Sequence, residues 1–139
     1  MTLAPAPVFR LALRVYWEDT DAAGIVFYAN FLKFFERART EWLRHLGFDH
    51  QWLLRNHRVV FIVTAIAVDF HKPARLDDTL AVSVQLESLG KARCVFAQEI
   101  RREDDLLVKA KVTVACVTGD QFRPVEVPEP LRRKMEASI

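Results

Sequence analysis

From Asn30 to Leu46 the chain places Phe31, Phe35, Ala38, Trp42 and Leu46 at three- or four-residue spacing, and Leu32, Phe34 and Leu43 widen the stripe. That period predicts one long amphipathic helix with a broad face to bury. Lys33, Glu36, Arg37, Arg39, Glu41 and Arg44 fill the opposite side. Asn30 is expected as its N-cap and Gly47 as the left-handed residue that ends it. A helix this apolar on one side needs a large partner surface, and the remaining sequence offers only strands.

Phe9, Leu11, Leu13, Val15 and Trp17 alternate with more polar neighbours, which predicts a first strand with one buried face. After a short second helix expected over 49–56, the segments 59–70, 80–87, 92–102 and 106–118 read as four more strands. Pro73 with Asp77 and Asp78, then Gly90-Lys91, then Glu103 to Asp105 mark the turns between them. The first of these four, Val59 to Phe70, is apolar at nearly every position, as in a strand covered on both faces. Turn-length connections predict antiparallel pairing. A C-terminal helix is expected over 129–137, behind Pro128. The fold class is therefore α+β, one long helix laid on a five-stranded antiparallel sheet.

With 139 residues the chain is sized for one hydrophobic core, expected over 9–139, after a flexible lead-in of residues 1–8 that carries Pro5 and Pro7. Twenty basic and eighteen acidic residues leave a net charge of +2, too small and scattered for a nucleic-acid surface. No apolar run reaches the roughly 18 residues of a membrane span, and Arg10 and Arg14 break the N-terminal stretch that could imitate a signal peptide. A cytoplasmic location is expected. Cys94 and Cys116 sit inside apolar strand-like segments and read as buried reduced thiols, not as a disulfide, a zinc site or a nucleophile.

The segment that carries chemistry runs from Glu18 to Phe31, joining a strand end to the helix start. Backbone N–H groups in a first helical turn lack internal partners and point along the positive end of the helix dipole, where they can polarise a carbonyl oxygen. A carboxylate from Asp19 or Asp21 beside them would supply a base or nucleophile. On spacing alone, both aspartates are better explained as turn or capping residues than as catalysts, and Gly24 as a backbone device for a tight turn.

The run D-T-D-A-A-G-I-V-F-Y-A-N-F resembles the active-site signature of the 4-hydroxybenzoyl-CoA thioesterase-like branch of the hotdog superfamily. R-V-Y-W-E-D-T-D before it, F-F-E-R-A-R-T-E-W-L-R on the helix and P-A-R-L-D-D later in the chain resemble the YbgC group of acyl-CoA thioesterases. The resemblance implies a hotdog fold, a long central helix wrapped by a curved antiparallel sheet, and hydrolysis of acyl-CoA to a carboxylic acid and free CoA. By position Asp21 becomes the catalytic carboxylate, acting as general base or as nucleophile, and the Tyr28 N–H becomes the oxyanion contact. Gly24, Trp17 and Phe31 are expected to line the substrate, while Asp19 stays a turn residue.

The resemblance further implies CoA phosphate contacts at strand ends and turns, for which Lys72, Arg75, Lys91 and Arg93 are the candidates. No metal and no other cofactor is expected, and the acyl carrier is CoA or an acyl carrier protein. Hotdog relatives assemble as dimers of dimers with sites between subunits, so a homotetramer is expected. Members of the group commonly carry a tyrosine four residues before the catalytic aspartate and a histidine seven after it. Here those positions are Trp17 and Tyr28. His71 shares a strand face with Asp69 and could pair with it, whereas His45, His50 and His57 suit neither a metal site nor a triad.

Overall fold

The computed structural model describes residues 8–139, so the lead-in expected over 1–8 falls, apart from Val8, outside the described residues. In chain order the elements are β1 (Phe9–Arg14), a 3₁₀ turn (Trp17–Asp19), α1 (Asn30–His45), α2 (His50–His57), β2 (Val59–Phe70), β3 (Thr79–Leu89), β4 (Arg93–Arg102), β5 (Asp105–Thr118) and α3 (Glu129–Glu136). The strands form one five-stranded sheet, entirely antiparallel, in the order β1-β3-β4-β5-β2. With one long helix packed on that sheet, this is the α+β hotdog arrangement the resemblance implied.

Phe31, Phe34, Phe35, Ala38, Trp42 and Leu43 form the buried stripe of α1, which packs mainly on β3 and β1. Trp42 meets Phe96 of β4 edge to face at 5.2 Å between ring centroids. The helix stops where expected: Leu46 is the C-cap and Gly47 follows at φ 96°. Its start differs. Ala29 occupies the N-cap position and Asn30 is already helical, with its side chain turned back toward the preceding loop.

Three other expectations are corrected. The first strand ends at Arg14, because the backbone turns into the 3₁₀ segment and leaves Trp17 80% exposed instead of buried on a strand face. β3, β4 and β5 are joined by tight turns, but β2 does not pair with β3; it crosses to the far edge beside β5. And β2, expected to be covered on both faces, is largely exposed in the chain, with Ile62, Val63, Ile66 and Phe70 each more than a third accessible. Part of its apolarity has a local cause. The pairing with β5 slips between Val63 and Ala65, leaving Thr64 as an extra residue. A bulge shifts the inward phase from odd to even positions: Phe61 and Val63 line a cavity under α1, while Val68 packs on the core and Phe70 packs on Phe31.

Candidate active site

Between β1 and α1 the chain makes a compact hydrogen-bonded loop. The Thr20–Val26 bridge closes it, the Asp21 N–H donates to the Ile25 carbonyl at 2.9 Å, and the Gly24 N–H donates to the Asp21 carbonyl at 3.0 Å. Gly24 sits at φ 78°, a conformation that favours glycine, and a side chain there would meet nothing within 4 Å. Backbone geometry, not close packing inside the chain, selects this glycine.

The two aspartates separate cleanly. Asp19 is 7% exposed; its Oδ2 accepts the Tyr16 N–H at 2.8 Å, and its carbonyl accepts both the Phe27 N–H and the Asn30 Nδ2 at 3.0 Å. It is a structural residue, as the turn reading expected. Asp21 is exposed, its Oδ1 held by the Ala23 N–H at 2.9 Å, and its Oδ2 has no protein partner among the described residues. One oxygen fixes the side chain and the other is open to a ligand.

Tyr28 follows two residues before the first helical residue. Its N–H and that of Ala29 donate to no protein acceptor among the described residues, so the helix presents free donors toward the loop. The Tyr28 ring is 63% exposed and meets Phe70 edge to face at 6.0 Å; Phe31 lies the same distance from Phe70. Tyr28, Phe31 and Phe70 therefore build an apolar wall beside the loop. The sequence marks Phe70 only as the end of a strand, not as a site residue, since that strand is distant in the chain.

Arg75 is drawn to the site: it bridges to Ile25, and the neighbouring Ala74 carbonyl accepts the Val26 N–H at 2.8 Å. Asp78 holds that turn by accepting the Arg75 N–H at 2.9 Å and an Arg102 N–H at 2.8 Å. Burial opposes ionisation of Asp78, but those two donors outweigh it and keep its carboxyl below the usual value. Lys72 lies just before this turn, in an exposed ion pair with Asp105 at 3.1 Å. Lys91 and Arg93 lie elsewhere. They flank the β3–β4 turn, and β3 starts beside Arg14 near the loop, so 11 residues of strand put them roughly 30 Å away within one chain.

His71 and Asp69 are both exposed and make no hydrogen bond with each other among the described residues. Cys94 and Cys116 are free and buried, and burial pushes their thiols up to about 12 and about 11. Neither is a nucleophile at neutral pH. Among the described residues no helix is long and apolar enough to cross a membrane.

A family model described as the thioesterase-like superfamily matches residues 15–135. The acyl-CoA thioesterase YbgC of Haemophilus influenzae is 43% identical over 124 residues, spanning 89% of this chain and 91% of the relative. The acyl-CoA thioesterase YbgC of Helicobacter pylori is 42% identical over 133 residues, spanning 89% of this chain and 97% of the relative. Among solved structures, a probable thioesterase from Bartonella henselae superposes with a TM-score of 0.84 at 33% identity, covering 88% of this chain and all of the other.

Proposed function

The chain belongs to the thioesterase-like superfamily, and from that premise we propose that it hydrolyses acyl-CoA thioesters to a carboxylic acid and free CoA, with Asp21 as the reacting carboxylate. The observation that carries this reading is the pairing of an exposed carboxylate, one oxygen fixed and one open, with the unpartnered N–H of Tyr28 on the same short loop.

A thioester carbonyl placed between them would set its oxygen against the Tyr28 N–H and its carbon toward Asp21 Oδ2. Charge that develops on the oxygen is stabilised by a donor already in position at a helix start. By one route Asp21 takes a proton from water as the oxygen attacks, and returns it to the departing thiolate. By the other Asp21 attacks, the C–S bond breaks, and water then hydrolyses the mixed anhydride. Both consume one water and release acid and thiol.

Arg75, with Lys72 beside it, offers cationic groups to CoA phosphates from the same chain, while Trp17 stands exposed where the 3₁₀ turn leads into the loop. Lys91 and Arg93 join such a site only if another subunit brings them there. The exposed apolar edge of β2 supports that assembly, since an unpaired edge with Ile62, Val63 and Ile66 accessible invites a second copy. We take the working unit to be a dimer of dimers with sites between subunits. Two thiols kept free are consistent with a reducing cytoplasm.

Release of free thiol from a panel of acyl-CoAs and acyl carrier protein thioesters tests the activity and ranks the carriers. Turnover of at least one CoA thioester is expected. A purified chain that binds acyl-CoA without releasing thiol from any member would instead be a carrier or adaptor.

A further inference from the structure

The segment of residues 73–78, between β2 and β3, belongs to neither strand, yet it touches both stems of the loop that carries Asp21. On the β1 side the Val15 N–H donates to the Asp78 carbonyl at 2.9 Å, and the Asp77 N–H donates to the Val15 carbonyl at 3.0 Å. On the α1 side Arg75 bridges to Ile25, and the Ala74 carbonyl accepts the Val26 N–H. Ile25 in turn accepts the Asp21 N–H. Where this segment goes, the backbone of Asp21 follows.

The segment needs support from outside. Asp77 sits at φ 68°, a left-handed conformation that a residue with a side chain keeps where its neighbours enforce it. Arg102, the last residue of β4, reaches across to supply that support. Its Nη1 donates to Asp78 Oδ2 at 2.8 Å and to the Pro73 carbonyl at 3.3 Å, so one nitrogen ties the two ends of the segment together. Its Nη2 faces Asp105 Oδ2 at 3.9 Å, at the start of β5. The side chains of Arg102 and Asp78 are 31% and 22% exposed, against 54% and 53% for the Lys72–Asp105 pair. A shielded, charge-assisted bond of this kind holds geometry better than an ion pair open to water.

Resting on the reading of Asp21 as the reacting carboxylate, we propose that Arg102 and Asp78 are positioning residues for the reaction. Their ion pair clamps the 73–78 segment, the segment holds both stems of the loop, and the loop presents Asp21. Arg102 acts through the main chain, without touching the substrate. Losing the clamp lets the carboxylate leave the narrow geometry that attack on a thioester carbonyl requires, which lowers turnover and leaves substrate binding in place.

The test pairs steady-state kinetics with amide hydrogen exchange on the full chain. Arg102→Gln, too short to span the segment, should lower kcat about tenfold with KM within about twofold. The Asp21 and Val26 amides should exchange about tenfold faster, while amides inside α1 keep their protection. Arg102→Lys retains a cationic donor for Asp78 and should return kcat to within about threefold of the unmodified protein. Arg101→Gln removes the same charge one residue earlier, where the side chain bonds to Glu99 and the Asp104 carbonyl, and should change neither readout. Faster exchange with unchanged kcat would reduce the pair to a stabilising contact and overturn the proposal. Unchanged exchange, a raised KM with normal kcat, or an equal loss in Arg101→Gln would overturn it as well. If Arg102→Gln fails to fold, Asp78→Asn weakens the same bond from its other end and decides by the same two measurements. Should the unmodified protein turn over no thioester, the hydrolysis reading falls, and exchange alone decides whether Arg102 holds the loop.

Discussion

The Asn30 side-chain amide donates to the Asp19 carbonyl at 3.0 Å, so the first residue of the central helix holds the loop that carries Asp21. The same carbonyl accepts the Phe27 N–H, so two bonds tie the start of the helix to the strand-side end of the loop.

Asn30→Ala removes one of these bonds. The expected cost in stability is about 1 kcal/mol, because the Asp19 carbonyl keeps its other donor. The expected loss in kcat/KM is larger, about tenfold or more, since loop and helix lose their register. Thermal denaturation and steady-state kinetics on one preparation separate the two. A variant with lowered Tm and unchanged kcat/KM would show that the bond merely stabilises.

The aspartates should divide between chemistry and folding. Asp21→Asn keeps the Oδ1 contact to Ala23 and should leave stability within about 0.5 kcal/mol while removing nearly all turnover, a loss on the order of 10²-fold or more. Asp19→Ala leaves the Tyr16 N–H without its acceptor and should cost about 1–3 kcal/mol. Near-normal hydrolysis by Asp21→Asn would refute the assignment.

Tyr28 is proposed to act through its main chain, so Tyr28→Phe should keep kcat/KM within about twofold. The unmodified loop lacks an imidazole from Thr20 to Asn30, and Tyr28→His should add an inflection near about pH 6.5 to the rate profile. A large loss in Tyr28→Phe would instead assign the phenol a direct role.

The β2 edge predicts an assembly. Light scattering of the unmodified chain should give a dimer or tetramer, and Ile66→Lys, a charge on the exposed edge strand, should shift it toward monomer with loss of activity. Circular dichroism should remain native, since Ile66 is 39% exposed within the chain. A fully active monomer at assay concentration would exclude a site between subunits.

Both thiols should resist disulfide reagents in the folded protein at pH 8 and react in denaturant. Their raised pKa also sets a pH dependence. Above about pH 9 the unfolded chain loses thiol protons that the folded chain keeps, so stability falls as pH rises, by at most about 1.4 kcal/mol per pH unit for each thiol until about 11 for Cys116 and 12 for Cys94. Urea titrations at pH 8, 9 and 10 check the sign, and the cysteine-to-alanine double variant should lack this component.

What the sequence by itself determined is what depends on near neighbours along the chain. The three-four spacing of Phe31, Phe35, Ala38 and Trp42 places the buried stripe of α1, Gly47 ends it, and the turns at Gly90 and Glu103 delimit β4, because period and backbone preference are local properties. The signature around Asp21 likewise lies in one continuous stretch. Only the tertiary structure decided which strands become neighbours, since β2 pairing with β5 instead of β3 depends on contacts some fifty residues apart. The same holds for the phase change at Thr64, the bond from Asn30 back to Asp19, the arrival of Phe70 and Arg75 at the loop, and the remoteness of Lys91 and Arg93. Arg39 shows the reason most plainly: a helical wheel puts it on the polar side, but Gln98, contributed by a strand 59 residues away, turns it inward. Periodicity records which face of an element is apolar, whereas the partner that meets each face is chosen by packing the whole chain at once.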